Sequence, residues 1–358
     1  MILTIVIFVL LLGVLVLVHE WGHFFVARKF GVRVQEFAFG FPPRLASITR
    51  SGTRYAINLF PLGGYVKIFG EGGEGETHPE SFSSRPLWQR LSIIAAGVAM
   101  NFILAWALFS LGHGLGLPTV LAETEAGEGA EVTIIGVAQD SPAEAAGFMF
   151  GDIIQEVRIS DESVSVTTIE DMQRFIDLHR GEAVSVIALR KGETISLVAT
   201  PRVRPPEGEG ALGIAMARVG IVRAPWWRAP WDGLKTTASA TVGITRALGG
   251  ALRDFISRGE VPPDVSGPVG IFVFADESRR LGVIYLLELA GILSVNLALL
   301  NILPIPALDG GRILFLFIEG VRGVRMSPKF EQLIHTVGFV LLLTLMAAIT
   351  YRDIVRIF

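Results

Sequence analysis

Residues 2–29 read ILTIVIFVLLLGVLVLVHEWGHFFVARK. Ile2 to Val18 carries no charge, which at 1.5 Å rise per residue is close to the span of a bilayer's hydrocarbon core. The run has no basic residue before it and no small-residue cleavage site after it, so it reads as a retained helix and not as a signal peptide. It continues into His19-Glu20-Trp21-Gly22-His23 and ends on Arg28 and Lys29, with the helix expected to reach about Ala27. Positions i and i+4 of a helix lie about 40° apart around the axis, so both imidazoles face one way. That pattern suits two ligands of one zinc ion, with Glu20 beside them as the base that takes a proton from water. Ionisable groups at the end of a lipid-spanning helix are costly unless used. The plain alternative is a helix end whose polar groups reach the headgroups.

Three more stretches resemble the first. Leu91 to Leu111 is uncharged, Val283 to Leu303 holds only Glu288, and Leu333 to Thr350 holds only His335 as an ionisable group. Of the 358 residues, 51% are hydrophobic and 18% charged, below the usual quarter for soluble domains. The fold class is therefore a polytopic α-helical membrane protein with four transmembrane helices. The bases Arg28, Lys29, Arg33, Arg44, Arg50, Arg54, Lys67, Arg85 and Arg90 fall between spans one and two. Arg312, Arg322, Arg325 and Lys329 fall between spans three and four. The positive-inside bias sets both loops in the cytoplasm and both termini outside, with Arg352 and Arg356 as a weak conflict. The sequence has no cysteine, which excludes thiolate ligands and nucleophiles. A net charge of -3 without a basic block argues against nucleic acid.

Between the spans the pattern changes. Residues 31–70 are rich in Gly, Phe and Val with short alternating runs, the mark of strands and turns beside the membrane. Strand backbone at that depth needs protein or water to satisfy it. An exposed edge in 53–69 can hold an extended peptide by strand addition, or the segment is a structural hairpin. Residues 71–80 read as a solvated acidic loop. A small domain follows. Val132 to Val137 is a strand. Ser141 to Gly147 is a short helix with Ser cap, Pro first turn and Gly stop, Thr168 to Leu178 is a second helix, and 183–199 is a hairpin. Pro205-Pro206 and 207–210 read as a linker, and 231–258 as a partly amphipathic helix. Trp226, Trp227 and Trp231 before it are either interface anchors or surface residues of a packed helix. The domains expected are 1–118, a membrane half with the zinc motif and β-hairpin; 119–205, the inserted domain; 206–282, linker and amphipathic segment; and 283–358, the second membrane half.

A catalytic zinc site takes a third protein ligand. His78, His113 and His179 lie in the wrong regions, and His335 reads better as a helix-start residue. Asp309 is the stronger candidate. It follows Asn301-Ile302-Leu303-Pro304-Ile305-Pro306-Ala307-Leu308, where two prolines break the third span near the depth of His19, and it precedes Gly310 and Gly311. Capping of the next helix is its alternative role. Asn296 and Asn301, five residues apart, cannot both face one site. Asn301 is placed to hold substrate or an oxyanion, or equally to cap the carbonyls freed at Pro304. Glu288 has no assigned role.

These pieces resemble the site-2 protease family of intramembrane zinc metalloproteases. The matching segments are HEWGH at 19–23, FGFPP at 39–43, PLGGYVKIFG at 61–70, AAGVAMNFILA at 95–105, SGPVGI at 266–271 and NILPIPALDGGR at 301–312. SPAEAAG at 141–147 and GDII at 151–154 resemble a PDZ domain. The resemblance implies Zn2+ held by His19, His23 and Asp309, with Glu20 as base. It implies substrate handling by Asn301 and Pro304, and a membrane-associated β element whose Gly63, Gly64 and Tyr65 contact substrate. It also implies an inner-membrane enzyme with its PDZ domain outside and its site near the cytoplasmic face. Its partners would be the bilayer and single-span proteins, already trimmed by a first protease, such as anti-sigma factors and remnant signal peptides. Some members carry two PDZ domains, whereas this chain has room for one. A silent PDZ scaffold and a divalent metal transporter are the competing readings.

Overall fold

The computed structural model describes residues 2–73, 75, 77–121, 128–160, 162–190, 192–206, 208–258, 267–324 and 327–357. Glu207, Ser266 and Arg325, used above, lie outside them. The chain forms two compact units, one of residues 1–112 with 226–358 and one of residues 113–225.

The first unit holds four helices long and apolar enough to cross a membrane. They are α1 (Ile2–Lys29), α2 (Leu87–Leu115), α7 (Val283–Ile302) and α9 (Pro328–Ile357). α1, α2 and α9 each cover an expected span and run past it, because the flanking polar residues keep helical spacing, whereas α7 starts with its expected span at Val283 and ends at Ile302, one residue short of Leu303. Between α1 and α2, β1 (Val34–Arg50) and β2 (Thr53–Ile68) pair antiparallel around the turn at Ser51 and Gly52. Both strands bend, so part of β1 is flanked by β2 twice: Phe37 faces Tyr55 on one side and Val66 on the other. Residues 64–68 thereby form one border of this small sheet, and β2 packs against α1. At its far end Phe41, Leu45, Ile48, Ile57, Leu59 and Phe60 expose apolar side chains. The C-terminal end of α1 and the N-terminal end of α2 meet β1 and β2 in a core of Ala27, Val32, Val34, Ile68, Ile93 and Ile94, joined by Leu316.

Three helices complete this unit. α5 (Ala229–Arg258) packs Ala240 and Ile244 on Phe109 of α2 and Val295 of α7, while Trp226, Trp227 and Trp231 stay exposed. α6 (Pro268–Leu281), inside the segment read as a linker, begins at its own proline; its first amides, Gly267 and Gly270, donate to Asp353 of α9. α8 (Asp309–Arg322) follows the proline break after α7.

The second unit is a seven-stranded antiparallel sheet. Its members are β3 (Leu117–Val120), β4 (Glu128–Val137), β5 (Ile153–Ile159), β6 (Glu162–Ser165), β7 (Val184–Arg190), β8 (Glu193–Ala199) and β9 (Ile214–Val222). They run in the order β3-β9-β4-β5-β7-β8, with β6 on β5. α3 (Pro142–Ala145) is capped by Ser141, and α4 (Ile169–Leu178) by a reciprocal Thr168 and Asp171 box. Val132, Ile134, Ile154, Val157, Met172, Phe175, Val184 and Val186 form the core. The unit is wider than 119–205. β9 pairs along most of β4, and β3 pairs with β9, so the stretch past Pro205-Pro206 returns to the sheet.

Candidate metal centre

α1 carries His19 and His23 one turn apart, with Nε2 atoms separated by 3.2 Å. The break after α7 brings Asp309, first residue of α8, onto them. Its Oδ2 lies 3.1 Å from Nε2 of His19 and 3.2 Å from Nε2 of His23. Both imidazoles are buried, and these three residues form a metal-competent cluster. His113, His179 and His78 are not part of it. His335 is not part of it either: its Nδ1 accepts from the Ala307 amide at 2.8 Å.

The donor set can be tested for a metal from its own hydrogen bonds. Nδ1 of His23 lies 2.9 Å from the carbonyl oxygen of Ile93, which can only accept. His23 therefore carries its proton on Nδ1 and turns the lone pair of Nε2 toward Asp309. Among the described residues, Asp309 Oδ2 in turn receives no hydrogen bond. A lone-pair nitrogen and a carboxylate oxygen at 3.2 Å repel unless a cation lies between them. Tetrahedral zinc with nitrogen and oxygen bonds separates its ligands by about 3.3 Å, and the three edges of this triangle agree with that. The residues fit the ion.

α2 supplies two residues that sequence reading missed. Nδ2 of Asn101 lies 3.3 Å from Nδ1 of His19, and its Oδ1, fully buried, has no partner among the described residues. Rotating the amide by half a turn gives His19 an acceptor for its Nδ1 proton and leaves Nε2 free to bind, the usual arrangement around a ligating imidazole. Ser294 of α7 donates to the Asn101 backbone oxygen at 2.8 Å and ties the two helices at this level. Gly97, one helical turn earlier, lies under both rings; any Cβ there would overlap His23 Nε2 and come within 2.8 Å of His19 Cε1. Asn101 and Gly97 both stand in the quoted segment 95–105, and a polar amide inside an uncharged span was the available signal.

Gly310 and Gly311 make room for backbone. A Cβ on Gly310 would strike the carbonyls of Ile302 and Leu303, and one on Gly311 that of Ile305. The pair lets α8 start directly against the end of the broken span. Asn301, half-buried near the end of α7, makes no side-chain hydrogen bond among the described residues and so does not cap the freed carbonyls. Pro304 is exposed.

Glu20 faces β2. A methyl group placed on Gly64 would lie 3.7 Å from Glu20 Cγ and 3.6 Å from Val16 Cγ1, so the 64–68 border passes directly beside the carboxylate's stem. Gly63 packs under Phe41. Tyr65 points to the opposite face, as strand alternation requires, and its hydroxyl donates to Glu36 at 3.1 Å. One turn beyond Asp309, Arg312 pairs with Glu71 and lines a cavity of about 380 Å³ with Arg90, Glu319, Glu331 and His335.

Residues 7–345 match the description "Peptidase family M50". The chain belongs to this family. Similar proteins include the zinc metalloprotease RasP of Shouchella clausii, 31% identical with 99% of each chain covered. A putative zinc metalloprotease of Clostridium acetobutylicum is 32% identical over 98% of this chain and 97% of its own. The regulator of sigma-W protease RasP of Bacillus subtilis is 29% identical over 99% of each. The site-2 protease resemblance thus holds, and with it the reading as a peptidase.

Proposed function

We propose that this M50 peptidase is a zinc-dependent intramembrane endopeptidase that cuts within the transmembrane segments of single-span proteins. The observation that carries the reading is the triangle of two imidazole nitrogens and one carboxylate oxygen, built where an apolar helix meets the broken end of another, with Glu20 beside it. His19, His23 and Asp309 hold zinc, the metal for which the relatives are named. Bound there, zinc acidifies water and polarises the scissile carbonyl. Glu20 takes the proton from the attacking water and returns it to the leaving amine nitrogen. Ile93 and Asn101 fix the imidazoles so that their Nε2 atoms converge.

A transmembrane helix hides its carbonyls in i to i−4 bonds, so substrate must unwind before it is cut. The border of β2 at Gly63 and Gly64 gives the unwound chain a strand to pair with beside Glu20. The amide of Asn301, without an internal partner among the described residues, is available to a substrate carbonyl or the developing oxyanion, next to the break at Pro304. Residues 113–225 serve as a PDZ domain on the outer side that screens substrates, with the metal site near the cytoplasmic face. The substrate class is that of pre-trimmed anti-sigma factors or remnant signal peptides; the Bacillus subtilis relative is named as a regulator of sigma-W.

The test uses purified protein in detergent with a single-span substrate, with and without chelator, beside Glu20→Gln. Cleavage lost in the variant, with zinc retained, supports the enzyme. Unchanged cleavage removes Glu20 as base. Neither a silent scaffold nor a metal transporter needs this glutamate.

A further inference from the structure

We infer that His335, far along the chain on α9, is the positioning residue that sets the backbone turn delivering Asp309. This rests on Asp309 being a zinc ligand, as proposed above.

The turn 303–308 has little to hold it. Pro304 and Pro306 have no N–H to donate. Leu308, which caps α8, has no side-chain hydrogen bond to the helix start. Among the described residues, only the Ile305 amide to the Leu303 carbonyl and the Leu308 amide to the Ile305 carbonyl bond within the turn. Ala307 sits at φ 77°, a conformation that a residue with a Cβ keeps only when its surroundings impose it. α9 imposes it from outside. The Ala307 amide donates to Nδ1 of His335 at 2.8 Å. Gly338, one turn along the same face, packs on Pro306: a Cβ there would lie 2.5 Å from Pro306 Cβ and 2.7 Å from its carbonyl oxygen. Phe315 of α8 sets the ring edge-on, with centroids 5.5 Å apart. One helix thus grips residues 306 and 307, and two residues later Asp309 reaches both imidazoles.

The bond also assigns the tautomer. An acceptor Nδ1 puts the proton on Nε2, which is buried without a hydrogen-bond partner among the described residues; Glu331 at 3.9 Å is beyond bonding reach. What the site uses is therefore one acceptor atom at the Nδ1 position. The side-chain oxygen of an asparagine in place of His335 would occupy nearly that position, whereas a glutamine oxygen would lie one methylene too far.

The experiment measures zinc affinity of the full-length protein by chelator competition, for wild type and the variants His335→Asn, His335→Gln, His335→Leu, Gly338→Ala and Asp309→Ala. The Gln, Leu and Gly338→Ala variants should bind zinc about 10- to 100-fold more weakly, the usual cost of losing an outer support. His335→Asn should stay within about threefold of wild type. Wild-type affinity in His335→Leu, or equal weakness in the Asn and Leu variants, overturns the inference. Should His335→Leu fail to insert, the Gln and Gly338→Ala variants decide the same question, since both keep the helix apolar enough to span. Unchanged affinity in Asp309→Ala would instead remove the metal ligand itself, a separate failure.

Discussion

Nδ1 of His23 donates to the carbonyl oxygen of Ile93 at 2.9 Å, and this bond decides which of the two ring nitrogens faces Asp309. The acceptor is main chain, so the tautomer is fixed by how closely α1 and α2 approach. Gly22 permits that approach, because a Cβ there would press on the Ala96 carbonyl. The proposed metal site is thus a product of helix packing as much as of the HEWGH spacing.

Gly97→Ala tests the packing directly. The added methyl has no room under His23 and His19, so the rings must turn. Zinc affinity should fall by about tenfold or more, while thermal stability drops by only about 1–3 kcal/mol. Chelator competition and thermal unfolding in detergent read the two effects separately.

Asn101→Leu removes the acceptor for the outer nitrogen of His19. Zinc should bind about 10- to 100-fold more weakly. Asn101→Asp, which keeps an acceptor oxygen there, should retain most of the affinity. Equal loss in both would mean that the amide acts by packing alone.

Gly64→Val places a branched side chain against Glu20, Val16 and the Ala38 carbonyl at the border of β2. Zinc content should stay at the wild-type level while kcat/KM for a single-span substrate falls at least about tenfold, because the strand position beside the carboxylate is lost. Metal analysis and a cleavage assay on one preparation check this.

In residues 113–225 the fully buried Asp152 accepts from Arg190 through both oxygens and from the Met149 amide. Asp152→Ala removes both carboxylate acceptors from Arg190, leaving it only the Gly147 carbonyl among the described residues, and should cost this unit about 3 kcal/mol. Hydrogen exchange on the intact protein should show faster exchange in β4, β5 and β7, with α1 and α2 unchanged.

What the sequence revealed followed from periodicity and cost. Four long, nearly uncharged runs read as membrane helices, and imidazoles one turn apart at the end of one of them share a face. Asp309 stood out because two prolines broke a span beside it. The missed features have no local pattern. Gly97 acts through an absent side chain, visible only once α1 lies on α2. β9 looked like the far side of a linker because its partner β4 is distant in sequence. α6 is short and weakly apolar, and its cap, Asp353, lies on another helix. His335 read as a helix-start residue because its partner is a backbone amide in a turn of uncommon conformation, which no side-chain motif announces.

Zinc K-edge absorption on the purified protein addresses the central claim at the metal itself. The spectrum should show nitrogen and oxygen neighbours at about 2.0–2.1 Å with outer-shell scattering from two imidazoles, and Asp309→Ala should change the first shell or empty the site. A site with three or more imidazoles, or one indifferent to loss of Asp309, would contradict it.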